Sequence, residues 1–470
     1  MTRPSTGGRR QPVDRWFGLF GVIFLGIPLG CNCSKHRSGG AEGPAAVAAD
    51  ASLVGNGAEA KPALLCTAVK NGAVFALGTE TGSAEEDDSG LDVPFGINVG
   101  QAVGFEGGFA VSAVDGRAGK SHAILALMGK EAQNAKKLDL GRVHGDADPA
   151  HIAGDSRNLL VALADMDAAG RTLRLLRVED PLGAARMTKG EDLSVTENSA
   201  TVFSLALNGE HGIIVWEQPD KKTDLQQIAL AHFQLQTLAL PAKPIVFSGG
   251  KSDAESPQVV SRQGGFWLGW VQPVPKNAAS PASKSGGKKA TADDTALPVV
   301  DLGFRDLYVN SLDLAGHAVS KALRVTEGAS HAVTYEMSTL SDGSAVLAWR
   351  DDDTSPGVQS QVIHLARVGL DGHVERFRIE DESIGVGEPQ LLVDPTLDND
   401  EYAWLALGNT GEKVSFVKLQ PNANPVMPIV DDSELGVAYP LARFGGVLLA
   451  ARQRGASVDL EPLRCRFGMR

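Results

Sequence analysis

Seven times along this chain a short apolar run follows a Pro or a small polar residue, crosses a turn, and re-emerges as a stronger run. The clearest copies are SPQVVSRQGGFWLGWVQ from Ser256, EPQLLVDPTLDNDEYAWLALG from Glu388 and YPLARFGGVLLAARQ from Tyr439. The first runs start near Pro94, Pro149, Ala200, Pro257, His331, Pro389 and Pro440. Proline opens a strand cheaply, because its missing N–H costs no ladder bond there. The second runs begin near Gly107, Asn158, His211, Gly264, Gly343, Glu401 and Gly445, and hold Trp216, Trp267, Trp270, Trp349 and Trp404. They are apolar at successive positions with small residues interleaved, which predicts strands covered on both faces.

Two more strands follow as a hairpin, clearest in RDLYVNSLDLAGHAV from Arg305 and IHLARVGLDGHVERFRI from Ile363. Ala-Gly and Asp-Gly supply the positive φ that a tight hairpin needs. The interval between units is about 50–58 residues, except where an insertion lengthens one of them. Four short antiparallel strands at that period predict an all-β chain, a single β-propeller of seven four-stranded blades. Splitting or merging one unit would make the number six or eight. The last unit, from Tyr439, is one strand short, and Ala63 to Thr79 is the natural segment to complete it and close the ring.

Composition fits a packed chain: 43% of residues are hydrophobic, and 54 glycines suit many turns. The formal net charge is −13; residues 1–30 carry Arg3, Arg9, Arg10 and Arg15 against Asp14, so the remainder is more acidic still. Such a body repels nucleic acid and anionic lipid. Residues 1–30 read as a signal peptide, with a basic start and an apolar stretch from Trp16 to Leu29 too short to span a bilayer. Residues 31–61 are rich in Gly and Ala without periodicity and read as a flexible tether. Residues 62–470 form the propeller, with a low-complexity loop inserted at 275–298.

Ile27-Pro-Leu-Gly-Cys31 resembles a bacterial lipobox, with Gly30 before the Cys and Pro28 departing from the usual Leu. The resemblance implies lipidation at Cys31; ordinary cleavage nearby, or a retained anchor, is the alternative. Asn32, where inner-membrane retention uses Asp, points to the outer membrane of a Gram-negative bacterium, on either face. Over residues 62–470 the chain looks like bacterial extracytoplasmic β-propeller lipoproteins, without matching a named enzymatic branch.

Cys66 lies in the first strand signal and Cys465 in the last. A ring must bring its ends together, so in an oxidising compartment a disulfide is expected; two buried thiols are the alternative. No Cys/His spacing suits zinc. His144-Gly-Asp-Ala-Asp-Pro-Ala-His151 gathers four potential ligands but matches no standard motif. Asp253-Ala-Glu-Ser-Pro257 repeats its acidic-then-Pro pattern, so both read as blade-to-blade turns. Asp165 and Asp167 form half a calcium loop in which Ala169 replaces an oxygen donor; Asp351 and Asp353 belong to an acidic turn after an inner strand. These four are weak calcium candidates, solvated turns being the plainer reading, and no other cofactor is implied. His317 and His373 share one hairpin position, which reads as turn chemistry. No HExxH, GxSxG or phosphate loop occurs, and no catalytic residue is assigned. The expectation is a monomeric, lipid-anchored propeller of the cell envelope, binding or scaffolding a protein or glycan. The alternative is a glycan hydrolase or lyase with carboxylates at the channel mouth.

Overall fold

The computed structural model describes residues 62–69, 74–78, 97–116, 121–143, 148–155, 157–167, 170–195, 202–241, 243–248, 250, 252–274, 304–327, 332–351, 362–380, 389–397, 402–407, 414–431, 439–454 and 457–469. The regular structure among them is entirely strand, running in chain order from β1 (Pro62–Ala68) to β29 (Ser457–Met469). The strands form seven antiparallel sheets. The residues read as signal peptide, tether and inserted loop fall outside the described residues.

The first strands of the sheets are β3 (Ile97–Phe105), β7 (His151–Gly154), β11 (Phe203–Asn208), β15 (Glu255–Arg262), β19 (Ala332–Thr339), β23 (Gln390–Val393) and β27 (Tyr439–Phe444). Each touches the next, and β27 touches β3, so the inner strands form a closed ring. The second strands are β4 (Gly108–Asp115), β8 (Asn158–Asp167), β12 (His211–Pro219), β16 (Gly265–Pro273), β20 (Ala345–Asp351), β24 (Ala403–Leu407) and β28 (Val447–Arg454). The fold is a seven-bladed β-propeller.

The apolar core is divided into wedges between blades. Seven clusters of buried side chains each draw on two adjacent sheets. Second strands are buried on both faces for this reason; β24, for example, is buried at every residue. Fourth strands are weaker. The fourth strand of blade four, β18, spans only Leu323–Arg324, because the turn after β17 (Arg305–Leu312) uses the intervening residues.

Blade seven consists of β27, β28 and β29 from the C-terminal end, with β1 as the strand beyond β29 and β2 (Phe75–Leu77) also paired to β29. The register sets Cys66 directly opposite Cys465, and the two form a disulfide across 399 residues of sequence. The N-terminal segment therefore completes the last blade, and the thiol alternative falls away.

Inner strands also expose an edge to the channel, where backbone groups have no ladder partner. Neighbouring blades satisfy many of these groups with side chains. Gln101 Oε1 accepts from the amide of Ile152 at 2.8 Å, and Ser204 Oγ from that of Val259 at 3.1 Å. Gln258 Nε2 donates to the Tyr335 carbonyl, and Gln390 Nε2 to that of Leu441 at 3.2 Å. Tyr335 and Tyr402 hydroxyls donate to the carbonyls of Ser256 and Thr339, each at 3.0 Å.

The Gly-Gly pairs before several second strands have a steric cause. Gly107 and Gly264 adopt positive φ in the tight turn. A Cβ on Gly108 or Gly265 would stand 2.1 Å from the carbonyl oxygen of Met128 or Leu312 on the third strand. Gly265→Ala is therefore expected to lower stability by about 3 kcal/mol, read as a shift of the urea midpoint.

Candidate functional site

Antiparallel alternation sorts the connections onto two rims. First-to-second and third-to-fourth turns lie on one, second-to-third and blade-to-blade connections on the other. On the first rim only two residues separate first and second strand in four blades, while the third-to-fourth connections of blades three and four each span ten. The second rim carries the longest connection, the one between β16 and β17.

On that second rim, blades three and four bring ionisable groups together. Glu217, near the end of β12, accepts a hydrogen bond from the backbone amide of Ser256 at 2.5 Å. Glu255 opens β15 and lies 3.4 Å from Arg305, the first residue of β17. Asp253 accepts from the amide of Gln226, holding the blade-to-blade turn against β13 (Gln226–Gln234). Burial pushes the Glu217 carboxyl up from 4.5 to about 7; the Ser256 amide opposes this, while Glu255 and Asp253 reinforce it. Burial also raises Glu255, against the pull of Arg305. One carboxyl thus keeps its proton to near neutrality beside a second that is ion-paired, a division of roles that permits proton transfer. Next to it, Gln218, Pro219, Asp220, Lys221, Lys222 and Gln227 line a surface pocket of about 290 Å³. Its two lysines stand out on an acidic chain.

A group whose folded pKa is raised binds more protons in the native state, so it costs stability as pH rises through that interval. For Glu217 the loss runs from about pH 4.5 to about 7. His151 works the other way: burial lowers it to about 4, so its contribution is lost as pH falls below 6.5. The two slopes oppose each other in the wild type. Glu217→Gln isolates one of them: it should be more stable than wild type at pH 8 by about 1–2 kcal/mol and equal to it near pH 4. Thermal melts across pH check this.

The residues singled out from sequence disperse. Cys31, Asp353, His144 and Asp146 lie outside the described residues. Asp165 and Asp167 sit at the end of β8, where the register sets them opposite Thr172 and Gly170. Asp351 Oδ2 is 3.2 Å from His364 Nε2, and His364 in turn stacks on Trp349. His151 lies on β7 with its ring centroid 4.4 Å from that of Phe203. His317 and His373 are exposed residues of equivalent turns, their carbonyls each accepting from the amide four residues earlier at 2.9 Å. Among the described residues no three His, Cys, Asp or Glu side chains stand in an arrangement that could hold a metal ion. Glu217 and Arg305 were not singled out at all. Their pairing depends on which blade follows which, and no local spacing encodes it.

No protein-family model matches the chain, and no curated protein matches it. Solved structures are similar in fold. The β-propeller domain of the Trilobed protease from Pyrococcus furiosus is 12% identical with a TM-score of 0.45, over 79% of this chain and 95% of that one. Hydrazine synthase of Kuenenia stuttgartiensis is 12% identical with a TM-score of 0.46, over 81% and 98%. An α-L-arabinofuranosidase of Fusarium graminearum is 9% identical with a TM-score of 0.40, over 67% and 92%. Likenesses of this degree carry no argument about activity.

Proposed function

We propose that the chain is an extracytoplasmic binding propeller, lipid-anchored at Cys31 to the outer membrane, which holds an envelope protein or glycan on the rim of its long connections. The observation that carries this reading is the direction of β1. Pro62 pairs with Met469, the far end of β29, whose other end follows directly on the second-to-third turn of blade seven. Residues before Pro62 therefore meet the propeller at the rim of the first-to-second turns, so an anchor at Cys31 would stand on that side, opposite the rim with Glu217 and Lys221. A rigid ring presenting loops of varied length suits recognition.

A photo-crosslinking residue placed at Lys221 should capture a discrete partner in envelope preparations, while one at the exposed Leu370, on the opposite rim, should not. Capture only from Leu370, or from neither, would overturn the reading. The anchor is tested separately: Cys31→Ser should abolish incorporation of labelled palmitate.

The Glu217–Glu255 arrangement favours one further reading, a glycan hydrolase using Glu217 as proton donor. On it, Glu217→Gln and Glu255→Gln each reduce release of reducing ends at least about a hundredfold. A wild-type chain that releases none from a panel of envelope and plant polysaccharides removes it.

A further inference from the structure

The rim of the first-to-second turns exposes apolar side chains that neither blade packing nor the binding reading uses. Six of the seven large hydrophobic residues exposed among the described residues stand at the level of the third-to-fourth turns, which lie on that rim. Met187, Val246 and Val426 are each the second residue of a fourth strand, namely β10 (Arg186–Val195), β14 (Ile245–Ser248) and β26 (Pro425–Asp431). Val319 lies in the turn before β18, and Leu370 in the turn between β21 (Val362–Val368) and β22 (Val374–Glu380). Met469 ends β29, the third strand of blade seven. Val319, Met469 and Leu370 are 63%, 61% and 56% exposed. The seventh residue, Val74, directly precedes β2.

Singly exposed apolar residues need no explanation, but these are not scattered. One comes from each of blades two to seven, at the same level of its sheet, so together they ring the circumference of one end of the molecule. A convex partner would cover two or three of them; a planar surface covers all six at once. Pro62 pairs with Met469, so the residues that precede the propeller join it at this same end. The charges there suit a phospholipid surface, although the chain as a whole is acidic. Arg186, Lys243, Lys321 and Arg466, all exposed, lie within three residues of Met187, Val246, Val319 and Met469 respectively. Long cationic side chains beside apolar ones reach headgroup phosphates while their stems stay in the apolar layer. The carboxylates of these turns are engaged locally: Asp180, Asp313 and Asp371 accept from the amides of Ala184, Ala315 and His373 at 2.9, 2.9 and 3.0 Å.

We propose that this end of the propeller is a membrane-contact face, which rests on a phospholipid surface with the six side chains at the boundary of headgroups and acyl chains. The bilayer in question is that of the proposed anchor, and to that extent the contact rests on the anchored reading. Acyl chains on Cys31 hold the bilayer within reach, and the rim adds a second, weaker attachment made intramolecular by the first. Each side chain contributes through the apolar area it removes from water. Six contacts spaced round a circumference therefore favour one orientation, because any tilt lifts those on one side out of the lipid. The propeller then stands upright on its membrane, with Glu217 and Lys221 turned away from it.

The test mixes the full chain, carrying a photo-crosslinking residue at Val319, Leu370 or Lys221, with vesicles of labelled phosphatidylethanolamine and phosphatidylglycerol at millimolar lipid. Lipid adducts should form at Val319 and Leu370 at least about tenfold more than at Lys221. Val246→Asp combined with Met469→Asp, both at exposed positions, should lower the adduct yield at Leu370 by about tenfold and leave the thermal melt unchanged. Cys31→Ser removes the anchor, and the Leu370 adducts should persist at lower yield. Equal yields at Leu370 and Lys221, no lipid adduct at Leu370 in either chain, or adducts there with a second copy or another protein in place of lipid would overturn the proposal. Failure of the wild type to take labelled palmitate, with the Leu370 lipid adducts retained, would remove the anchor and leave the contact face standing.

Discussion

Replacing Cys66 and Cys465 together with serine lowers the stability of the propeller by up to about 6 kcal/mol, the loop-entropy value for a bridge spanning 399 residues. The expected phenotype is specific. The seven register pairs of β1 with β29 remain available, so the ring can still close, but its last strand then depends on backbone bonds and on Leu64 packed in the wedge with Trp404 and Phe416. Hydrogen exchange should accelerate first in β1 and in the half of β29 that faces it, with β11 to β16 unaffected. A urea midpoint unchanged from wild type under oxidising conditions would show that strand pairing alone seals the ring.

The second large effect is expected at Asp394, a fully buried carboxylate just beyond β23. Its Oδ1 accepts from the Thr396 amide at 3.1 Å, the Thr396 hydroxyl at 2.6 Å and the Gly445 amide at 3.0 Å; its Oδ2 accepts from the Gly446 amide at 2.8 Å. One side chain thus shapes its own turn and fixes the tight turn of the next blade. Asp394→Ala strands several donors away from water and should cost about 3–5 kcal/mol. Asp394→Asn keeps one acceptor oxygen and should cost about half as much. Equal urea midpoints for the two variants would mean that the acceptor oxygen kept by Asn contributes nothing, and would overturn this account.

Much of the fold was legible because its signal is local. The starts inferred near Pro257, Pro389 and Pro440 fall within two residues of β15, β23 and β27, and the run from Asn158 matches β8 at its first residue. Apolar runs with Trp267 or Trp404 declared themselves sandwiched, and both residues are about 1% exposed. The disulfide was legible only once a ring had been inferred. Fourth strands were less readable because they are edges: β18 needs only two residues, and nothing in Leu323-Arg324 marks a strand. The site was largely illegible. Pro257-Gln258 and Pro389-Gln390 were visible as repeated dipeptides, yet the role of each Gln, bonding the next blade, follows from packing alone. Glu217 and Glu255 sit 38 positions apart, and no period or motif links them.

Dividing the apolar interior among seven wedges has a consequence for how this molecule tolerates change. A side chain such as Phe233 reports only to the two sheets flanking it, so damage there stays between those neighbours. Substitutions in non-adjacent wedges should therefore add independently in free energy. Lineages can remodel one sector's loops without retuning the remainder, much as one stave of a cask can be planed while its hoop holds the others.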